Sequence, residues 1–370
     1  MEELITPKPT GEYRVGTTVF ALTDDSRKEK LGPEAGKAPR RVSVRLYYPV
    51  RSEDTEGRKK AVIMPAVKLN ALAKIYHMPF KDAGDQEGEV YLDAEPVPGK
   101  KFPLIIFSHG MGSYLESNNF MLTEIASHGY VIAAVGHTYE EAATDFYDGS
   151  YALFDKRCQS DMYFPKTRGS LAALKVMFNK KGTYGEQYDR FDAFQRKYCA
   201  FLNDRVEERA RDVRLVLSDV RTRYGDRIDI TSGAGITGHS IGGSTAYYMC
   251  MHDEFKCGIN LDGMLLGNYS GMRMGKPFYQ ISCEDSRSTV SRVAIDNDAP
   301  VYWELFNNMK HIGFSDMIFM VPAKMVVGKM DPVKYHEYVC RIHLSMFDKY
   351  LKDSDEEVFA PDDKYVRKLV

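Results

Sequence analysis

Short apolar segments alternate with helix-like segments along this chain, and this alternation restricts its fold more than any other property. Residues 102–108 and 130–135 are nearly uninterrupted apolar runs, and the helix-like residues 117–128 between them end at Gly129. Short runs of this kind are typical of strands buried on both faces of a parallel sheet. A helix closed by glycine between two such strands forms a β-α-β unit. The pattern therefore predicts an α/β architecture.

The same alternation recurs in the second half of the chain. Further strands and helices are indicated at residues 42–49, 60–65, 206–224, 234–238, 242–251, 257–261, 277–282 and 332–351. Pro332 suits the first turn of the last helix. A chain of 370 residues is long enough to bury a large core. We predict a single domain, residues 1–370, with a predominantly parallel central sheet flanked by helices.

One stretch, residues 139–205, interrupts the alternation. Seven Tyr and seven Phe fall between residues 139 and 201, nearly twice the density expected from the 12% aromatic content of the chain. We interpret this stretch as an insertion with its own aromatic core. It is also a candidate lid over an apolar pocket for an acyl chain or a lipid.

Composition excludes several classes of protein. Lys and Arg total 50 against 52 Asp and Glu, a balance that favours neither a nucleic-acid partner nor a polybasic membrane anchor. The N-terminus lacks the features of a secretory signal, and no apolar run is long enough to span a bilayer. Six scattered cysteines without a C-x-x-C pair favour reduced thiols. We therefore expect a soluble, cytoplasmic protein.

The strongest local motif is G-x-S-x-G, centred on Ser240 and flanked by Gly238 and Gly242. It follows an apolar strand and precedes a helix, which is the context of a nucleophile elbow. The small flanking residues let the backbones pass, and the helix N-terminus favours developing negative charge. Ser240 is therefore a candidate nucleophile.

A second glycine motif overlaps the first. Residues 233–238 match G-x-G-x-x-G, and Asp262 follows at a distance compatible with ribose binding. A dinucleotide-binding loop needs a strand before its first glycine and a helix that starts within the motif. Here the apolar residues lie between the glycines and no strong strand precedes them, so we reject a nicotinamide site.

A serine nucleophile needs a histidine base, which a carboxylate orients. Among the nine histidines, His311 fits the order Ser, acid, His of α/β-hydrolases, although His137 also ends a strand. Asp262 follows one strand, and Glu284 and Asp285 follow the next. The pattern alone does not choose among these three acids.

The oxyanion of ester attack needs two N–H donors. Ile241, directly after the nucleophile, supplies one, and Met111 in the glycine-rich turn after residues 102–108 is the candidate for the other. No HExxH motif, His/Cys cluster or EF-hand spacing occurs. We therefore expect neither a metal nor a cofactor.

Four ordered motifs, at residues 107–113, 126–135, 238–243 and 257–263, resemble the platelet-activating factor acetylhydrolase family. The resemblance covers roughly residues 44–320 and implies an α/β-hydrolase fold. It also implies calcium-independent hydrolysis of short or oxidised sn-2 acyl esters of phospholipids. For the site, it implies Ser240 as nucleophile, Asp262 as the acid, His311 as base, and Met111 and Ile241 as oxyanion donors.

Two other functions remain open at this point. One is a general short-chain carboxylesterase or deacetylase that acts on small soluble esters, because the family includes such enzymes. The other is a non-catalytic binding module. The expected partner is a small ester or a phospholipid, with contact to a membrane surface left open, and neither the oligomeric state nor the preferred acyl length follows from the sequence.

Overall fold

The computed structural model describes residues 6–77, 84–158, 166–251 and 255–370. The strands are β1 (Arg14–Lys28), β2 (Pro39–Val50), β3 (Lys60–Met64), β4 (Gln86–Leu92), β5 (Phe102–Ser108), β6 (Val131–His137), β7 (Ala143–Asp145), β8 (Tyr151–Leu153), β9 (Ile228–His239), β10 (Cys257–Leu261), β11 (Phe278–Ser282), β12 (Val301–Phe306) and β13 (Val366–Lys368). The α-helices are α1 (Ala66–Tyr76), α2 (Asn119–Ser127), α3 (Lys166–Phe178), α4 (Tyr184–Tyr198), α5 (Ala200–Arg223), α6 (Ile241–Cys250), α7 (Met317–Met320), α8 (Lys324–Val327) and α9 (Pro332–Leu351). Short 3₁₀ segments lie at Ser52–Thr55, Arg287–Thr289, Ser291–Ala294 and His311–Phe314.

The chain divides into two compact units. The C-terminal unit contains the described residues of Gln159–Ala210 and Gly233–Val370, and the N-terminal unit contains those of Ile5–Cys158 and Arg211–Ser232. Each unit is described below by itself.

In the C-terminal unit the strands lie in the order β13-β12-β11-β10-β9. Strands β9 to β12 are parallel neighbours, and β13 is antiparallel to β12. Every residue of β10 and β11 is buried, as their apolar sequences predict. Because parallel strands end at the same edge of a sheet, residues that follow β9, β10 and β11 lie close together.

In the N-terminal unit the order is β5-β6-β2-β1-β4-β3. Strands β5 and β6 are parallel, with α2 between them in sequence, and this arrangement confirms the predicted β-α-β unit. Strand β2 pairs antiparallel with both β6 and β1. Local sequence does not predict the long strand β1, whose apolar run is only four residues long, at residues 19–22, and is followed by polar and charged residues.

Strand β9 corrects one sequence-based expectation. It begins at Ile228, five residues before Gly233, so a strand does precede the G-x-G-x-x-G match. All three of its glycines lie within β9, and the following helix begins only at Ile241. The motif therefore still lacks the helix start that a dinucleotide-binding loop requires.

The aromatic-rich stretch 139–205 contains β7, β8, α3, α4 and the beginning of α5, while its residues 159–165 lie outside the described chain. The β7–β8 hairpin belongs to the N-terminal unit, and α3 and α4 belong to the C-terminal unit. Phe191 and Phe194 of α4 are buried. The roles of residues 139–205 as an insertion and as a lid stay predictions, and so does the single domain of residues 1–370.

Of the helices described, none has both the length and the apolar character needed to cross a bilayer.

Candidate active site

Ser240 lies on the tight turn between β9 and α6. Its backbone has φ 58° and ψ −126°, a conformation that is sparsely populated for any residue except glycine and persists only where the surroundings impose it. The Ser240 N–H donates to the carbonyl of Leu261 at 2.9 Å, and the Ser240 carbonyl accepts the N–H of Ser244 at 3.0 Å. The turn is thus held by the sheet on one side and by the first helical turn on the other.

Gly263, directly after the end of β10, makes room for this turn. A Cβ atom at position 263 would lie 2.0 Å from the carbonyl oxygen of Ser240 and 2.8 Å from the nitrogen of Ser244. Both are backbone atoms, so they have little freedom to move aside. The close approach therefore requires glycine at position 263.

Asp262, His311 and Ser240 form a continuous hydrogen-bonded chain. The Nδ1 atom of His311 lies 2.7 Å from Oδ2 of Asp262, and Nε2 lies 2.8 Å from Oγ of Ser240. A carboxylate at Nδ1 favours the tautomer in which Nδ1 carries the proton, so that Nε2 accepts from the serine hydroxyl. The three elements that carry these residues all belong to the C-terminal unit.

Asp262 and His311, two members of this hydrogen-bonded chain, differ in exposure. The side chain of His311, in the 3₁₀ segment after β12, is 44% exposed, whereas that of Asp262 is fully buried. Burial raises the pKa of Asp262, but hydrogen bonds from His311, Ser286 and the backbone of Cys283 outweigh it and hold that pKa below its ordinary value. The carboxylate thus remains ionised beside an imidazole that solvent reaches.

The other two candidate acids have different partners. Glu284 contacts Lys180 at 2.6 Å and Arg367 at 3.1 Å. Asp285 pairs with Lys310 at 2.6 Å. Of the three acids that the sequence offered, Asp262 is the one that the structure places against His311.

His137, the other candidate base, is engaged within the N-terminal unit. Its Nδ1 lies 2.9 Å from Asp212 and its Nε2 lies 2.9 Å from Oγ of Ser108. The side chains of all three residues are fully buried, and Asp212 also binds Arg40. This second Ser-His-Asp arrangement is closed to a substrate and reads as a buried structural network.

The two predicted oxyanion donors belong to different units. Ile241 is the first residue of α6, where the free N–H groups of a helix N-terminus favour an anion. Met111 lies in the turn after β5, is buried, and accepts a hydrogen bond from the Tyr76 hydroxyl at its carbonyl, at 3.2 Å. Their roles as donors stay predictions.

The structure adds a contact to His311 that sequence reasoning missed. His239 directs Nε2 to the carbonyl oxygen of His311 at 3.0 Å, and the two rings lie 4.9 Å apart. Burial, together with the nearby His311, lowers the pKa of His239 to about 3. A neutral His239 therefore donates to the backbone of the predicted base. The sequence signal for this contact was the position of His239 directly before Ser240 in the G-x-S-x-G motif.

Comparisons with known proteins identify relatives of this chain. A sequence profile of the family described as "Platelet-activating factor acetylhydrolase, isoform II" matches residues 1–331. The platelet-activating factor acetylhydrolase of Cavia porcellus is 28% identical over 93% of this chain and 78% of its own length. That of Bos taurus is 27% identical over 75% of this chain, which covers 60% of the relative's length.

A solved structure shares the fold. The ferulic acid esterase from Streptomyces cinnamoneus superposes with a TM-score of 0.74 at 20% identity, over 99% of both chains. This likeness confirms the predicted α/β-hydrolase fold. Together with the family match over most of the sequence, it leads to one conclusion: the chain belongs to the platelet-activating factor acetylhydrolase family, carboxylic-ester hydrolases of the α/β-hydrolase class.

Proposed function

We propose that this chain is a serine esterase in which Ser240 is the nucleophile, His311 the general base and Asp262 the orienting carboxylate. The observation that carries the proposal is the hydrogen-bonded chain of 2.7 Å and 2.8 Å through the two nitrogens of His311. A hydroxyl on a strained turn, an imidazole that accepts its proton and an ionised carboxylate behind that imidazole are the parts of a serine hydrolase.

The reaction proceeds by two acyl transfers. His311 Nε2 takes the proton of Ser240, and the oxygen attacks the ester carbonyl carbon to form a tetrahedral oxyanion. The N–H groups of Ile241 and Met111 are the proposed donors to that oxyanion. The imidazolium returns its proton to the leaving alcohol, leaving Ser240 acylated. Water, deprotonated by His311, then attacks the acyl carbon; the bond from that carbon to the Ser240 oxygen breaks, Ser240 takes the proton back from His311, and the acid is released.

For the substrate we propose short or oxidised acyl esters at the sn-2 position of phospholipids. Family membership supports this class. The proposed nucleophile and base are both side chains, so the reaction needs no metal-activated water, and we propose that it is calcium-independent. The exposed edge of His311 suits small soluble esters as well, which keeps a general short-chain carboxylesterase as the second candidate.

One exposed apolar face supports contact with a phospholipid surface. Leu171, Leu174 and Phe178 of α3 are 59%, 49% and 63% exposed and share one side of the helix by their spacing. Lys175 beside them is also exposed. A helix with apolar side chains and an adjacent lysine is suited to the lipid–water interface. Leu174→Glu is expected to reduce co-sedimentation with anionic vesicles, whereas the control Leu153→Glu, at an exposed leucine outside α3, leaves it unchanged.

We also propose a cytoplasmic location. All six cysteines are buried, and none of them is joined to another in a disulfide, which suits a reducing compartment. Subcellular fractionation checks it, and recovery of the protein in the secreted fraction would contradict it.

Esters graded by acyl length, on glycerophosphocholine and on a water-soluble alcohol, test the activity with and without a chelator. We expect the rate of hydrolysis to fall as the acyl chain lengthens and to be higher for the phospholipid esters than for the water-soluble esters. The chelator is expected to leave the rate unchanged. Ser240→Ala is expected to fold and to lose at least about 10³-fold in kcat. Activity close to wild type in that variant would refute the mechanism. Failure of a fluorophosphonate to label Ser240 would favour a non-catalytic binding module instead.

A further inference from the structure

The segment that follows β11 supplies further contacts to the proposed catalytic acid. This segment is residues 283–286. Glu284 and Asp285 pair with lysine and arginine side chains, whereas the first and last residues of the segment contact Asp262. The backbone N–H of Cys283 donates to Oδ1 of Asp262 at 2.7 Å. The hydroxyl of Ser286 lies 2.5 Å from the same oxygen.

The direction of the Ser286 hydrogen bond follows from the acceptors around it. A hydroxyl carries one proton, and Ser286 Oγ lies 2.5 Å from Oδ1 of Asp262 and 3.1 Å from the carbonyl oxygen of Cys283. The ionised carboxylate is both the nearer acceptor and the stronger one. Ser286 therefore donates to Asp262.

Ser286 is itself held in place before it makes this bond. Its N–H donates to the carbonyl of Cys283 at 3.3 Å, and its carbonyl accepts the N–H of Thr289 at 2.8 Å. The hydroxyl of Thr289 donates to the same carbonyl at 2.7 Å. Since Ser286 is also only 7% exposed, its hydroxyl is fixed and shielded from competing water.

The two carboxylate oxygens of Asp262 have different hydrogen-bond environments, although the Sγ of Cys283 also lies 3.4 Å from Oδ2. Oδ1 accepts from Cys283 and Ser286, and Oδ2 faces His311. The terminal torsion of an aspartate is broad, so a carboxylate held at one oxygen by a single donor turns more readily about it. Two donors at Oδ1 define the carboxylate plane and so keep Oδ2 directed at His311.

We infer that Ser286 is a positioning residue of the esterase site: its hydroxyl holds the Asp262 carboxylate in the orientation that aligns His311 with Ser240. This inference rests on the proposed function. It extends that function, because Ser286 lies outside the G-x-S-x-G motif and outside the three residues assigned to the chemistry. The other donor to Oδ1 is the backbone N–H of Cys283, which a side-chain substitution does not remove. Replacing the Ser286 side chain therefore removes one of the two donors and leaves the other in place.

The test compares Ser286→Ala with Ser291→Ala. Ser291 is a matched control because it is a buried serine of the same region, only 1% exposed, whose hydroxyl bonds the carbonyl of Ser288 and not the triad. We expect Ser286→Ala to lower kcat about tenfold, the scale of one hydrogen bond to a charged group, with KM unchanged within about twofold. Ser291→Ala is expected to keep both constants. Equal kcat values for the two variants, or a loss confined to KM, would overturn the inference.

The rate at which a fluorophosphonate labels Ser240 gives a second readout. Ser286→Ala is expected to be labelled about tenfold more slowly than wild type, and Ser286→Thr, which keeps the hydroxyl, close to the wild-type rate. If Ser286→Ala does not fold, as judged by circular dichroism, the threonine variant decides: wild-type labelling supports the inference and slow labelling overturns it. Wild-type protein that is not labelled at all contradicts the proposed function, whereas equal labelling of wild type and Ser286→Ala contradicts only the role of Ser286.

Discussion

Replacing Gly263 by alanine is expected to slow ester hydrolysis about a hundredfold, because the added methyl group meets the backbone of the Ser240 turn. The new Cβ would lie 2.0 Å from the Ser240 carbonyl oxygen, whereas real Cβ atoms essentially never lie within 3.0 Å of a heavy atom. The carbonyl must therefore retreat by about 1 Å, and a displacement of about that size at a reacting group costs about 10² in rate.

The same displacement also lowers stability. The Ser240 carbonyl accepts the first hydrogen bond of α6, from Ser244, so moving it strains the helix start as well. Overpacking of this kind typically costs about 1–3 kcal/mol. The thermal midpoint is therefore expected to fall by several degrees, with the fold retained.

The assay is kcat for a water-soluble acetyl ester, measured beside the thermal midpoint by circular dichroism. Gly275→Ala is the matched control, because a Cβ at that position meets nothing within 4 Å. We expect the control to keep both quantities. A Gly263→Ala variant with kcat within about threefold of wild type and an unchanged midpoint would show that the turn accommodates the methyl group, and the argument from close approach would be wrong.

Two further predictions concern buried carboxyl groups. Asp262→Asn is expected to retain the fold but to lose about 10³–10⁴ in kcat, since an amide facing Nδ1 favours the wrong tautomer of His311; steady-state kinetics check this, and a loss below tenfold would contradict it. Burial raises the pKa of Glu304 from 4.5 to about 8, against opposing effects of Tyr279 and Lys368. The contribution of Glu304 to stability is therefore complete below about pH 4.5 and lost as pH rises through about 8. Glu304→Gln is expected to reduce the pH-dependent fall in the free energy of unfolding by a few kcal/mol. Urea unfolding at pH 5 and pH 8 measures this fall. If the variant loses as much stability between the two pH values as wild type does, the assignment to Glu304 is wrong.

Much of the fold follows from local sequence. The apolar runs at residues 102–108 and 257–261 coincide with β5 and β10, and the helix expected at residues 332–351 is α9. Each of these elements is determined by the periodicity of neighbouring residues. Strand β1 has an apolar run of only four residues, at residues 19–22, and β2 pairs with it along most of its length. Pairing partners distant in sequence leave little mark on local composition.

In the candidate site, too, local sequence predicts some features and leaves others open. The motif around Ser240 predicts a strand, a tight turn and a helix, because small residues at fixed spacing suffice to permit that geometry. The choice of acid is different, since Asp262 and the pair Glu284 and Asp285 follow adjacent parallel strands and reach the same edge of the sheet. Family resemblance pointed to Asp262, but the residues alone left the three acids equivalent.

Sequence alone therefore determined several strands and helices, such as β5, β10 and α9, and the presence of a serine on a strand-to-helix turn, because these depend on residues adjacent along the chain. Tertiary structure decided which carboxylate meets His311. Lys180 and Arg367, 104 and 83 residues away from Glu284, bind that acid, and Ser286 and His311 converge on Asp262. These pairings join side chains far apart in sequence, and their distances are fixed only when the folded strands bring them to one edge of the sheet.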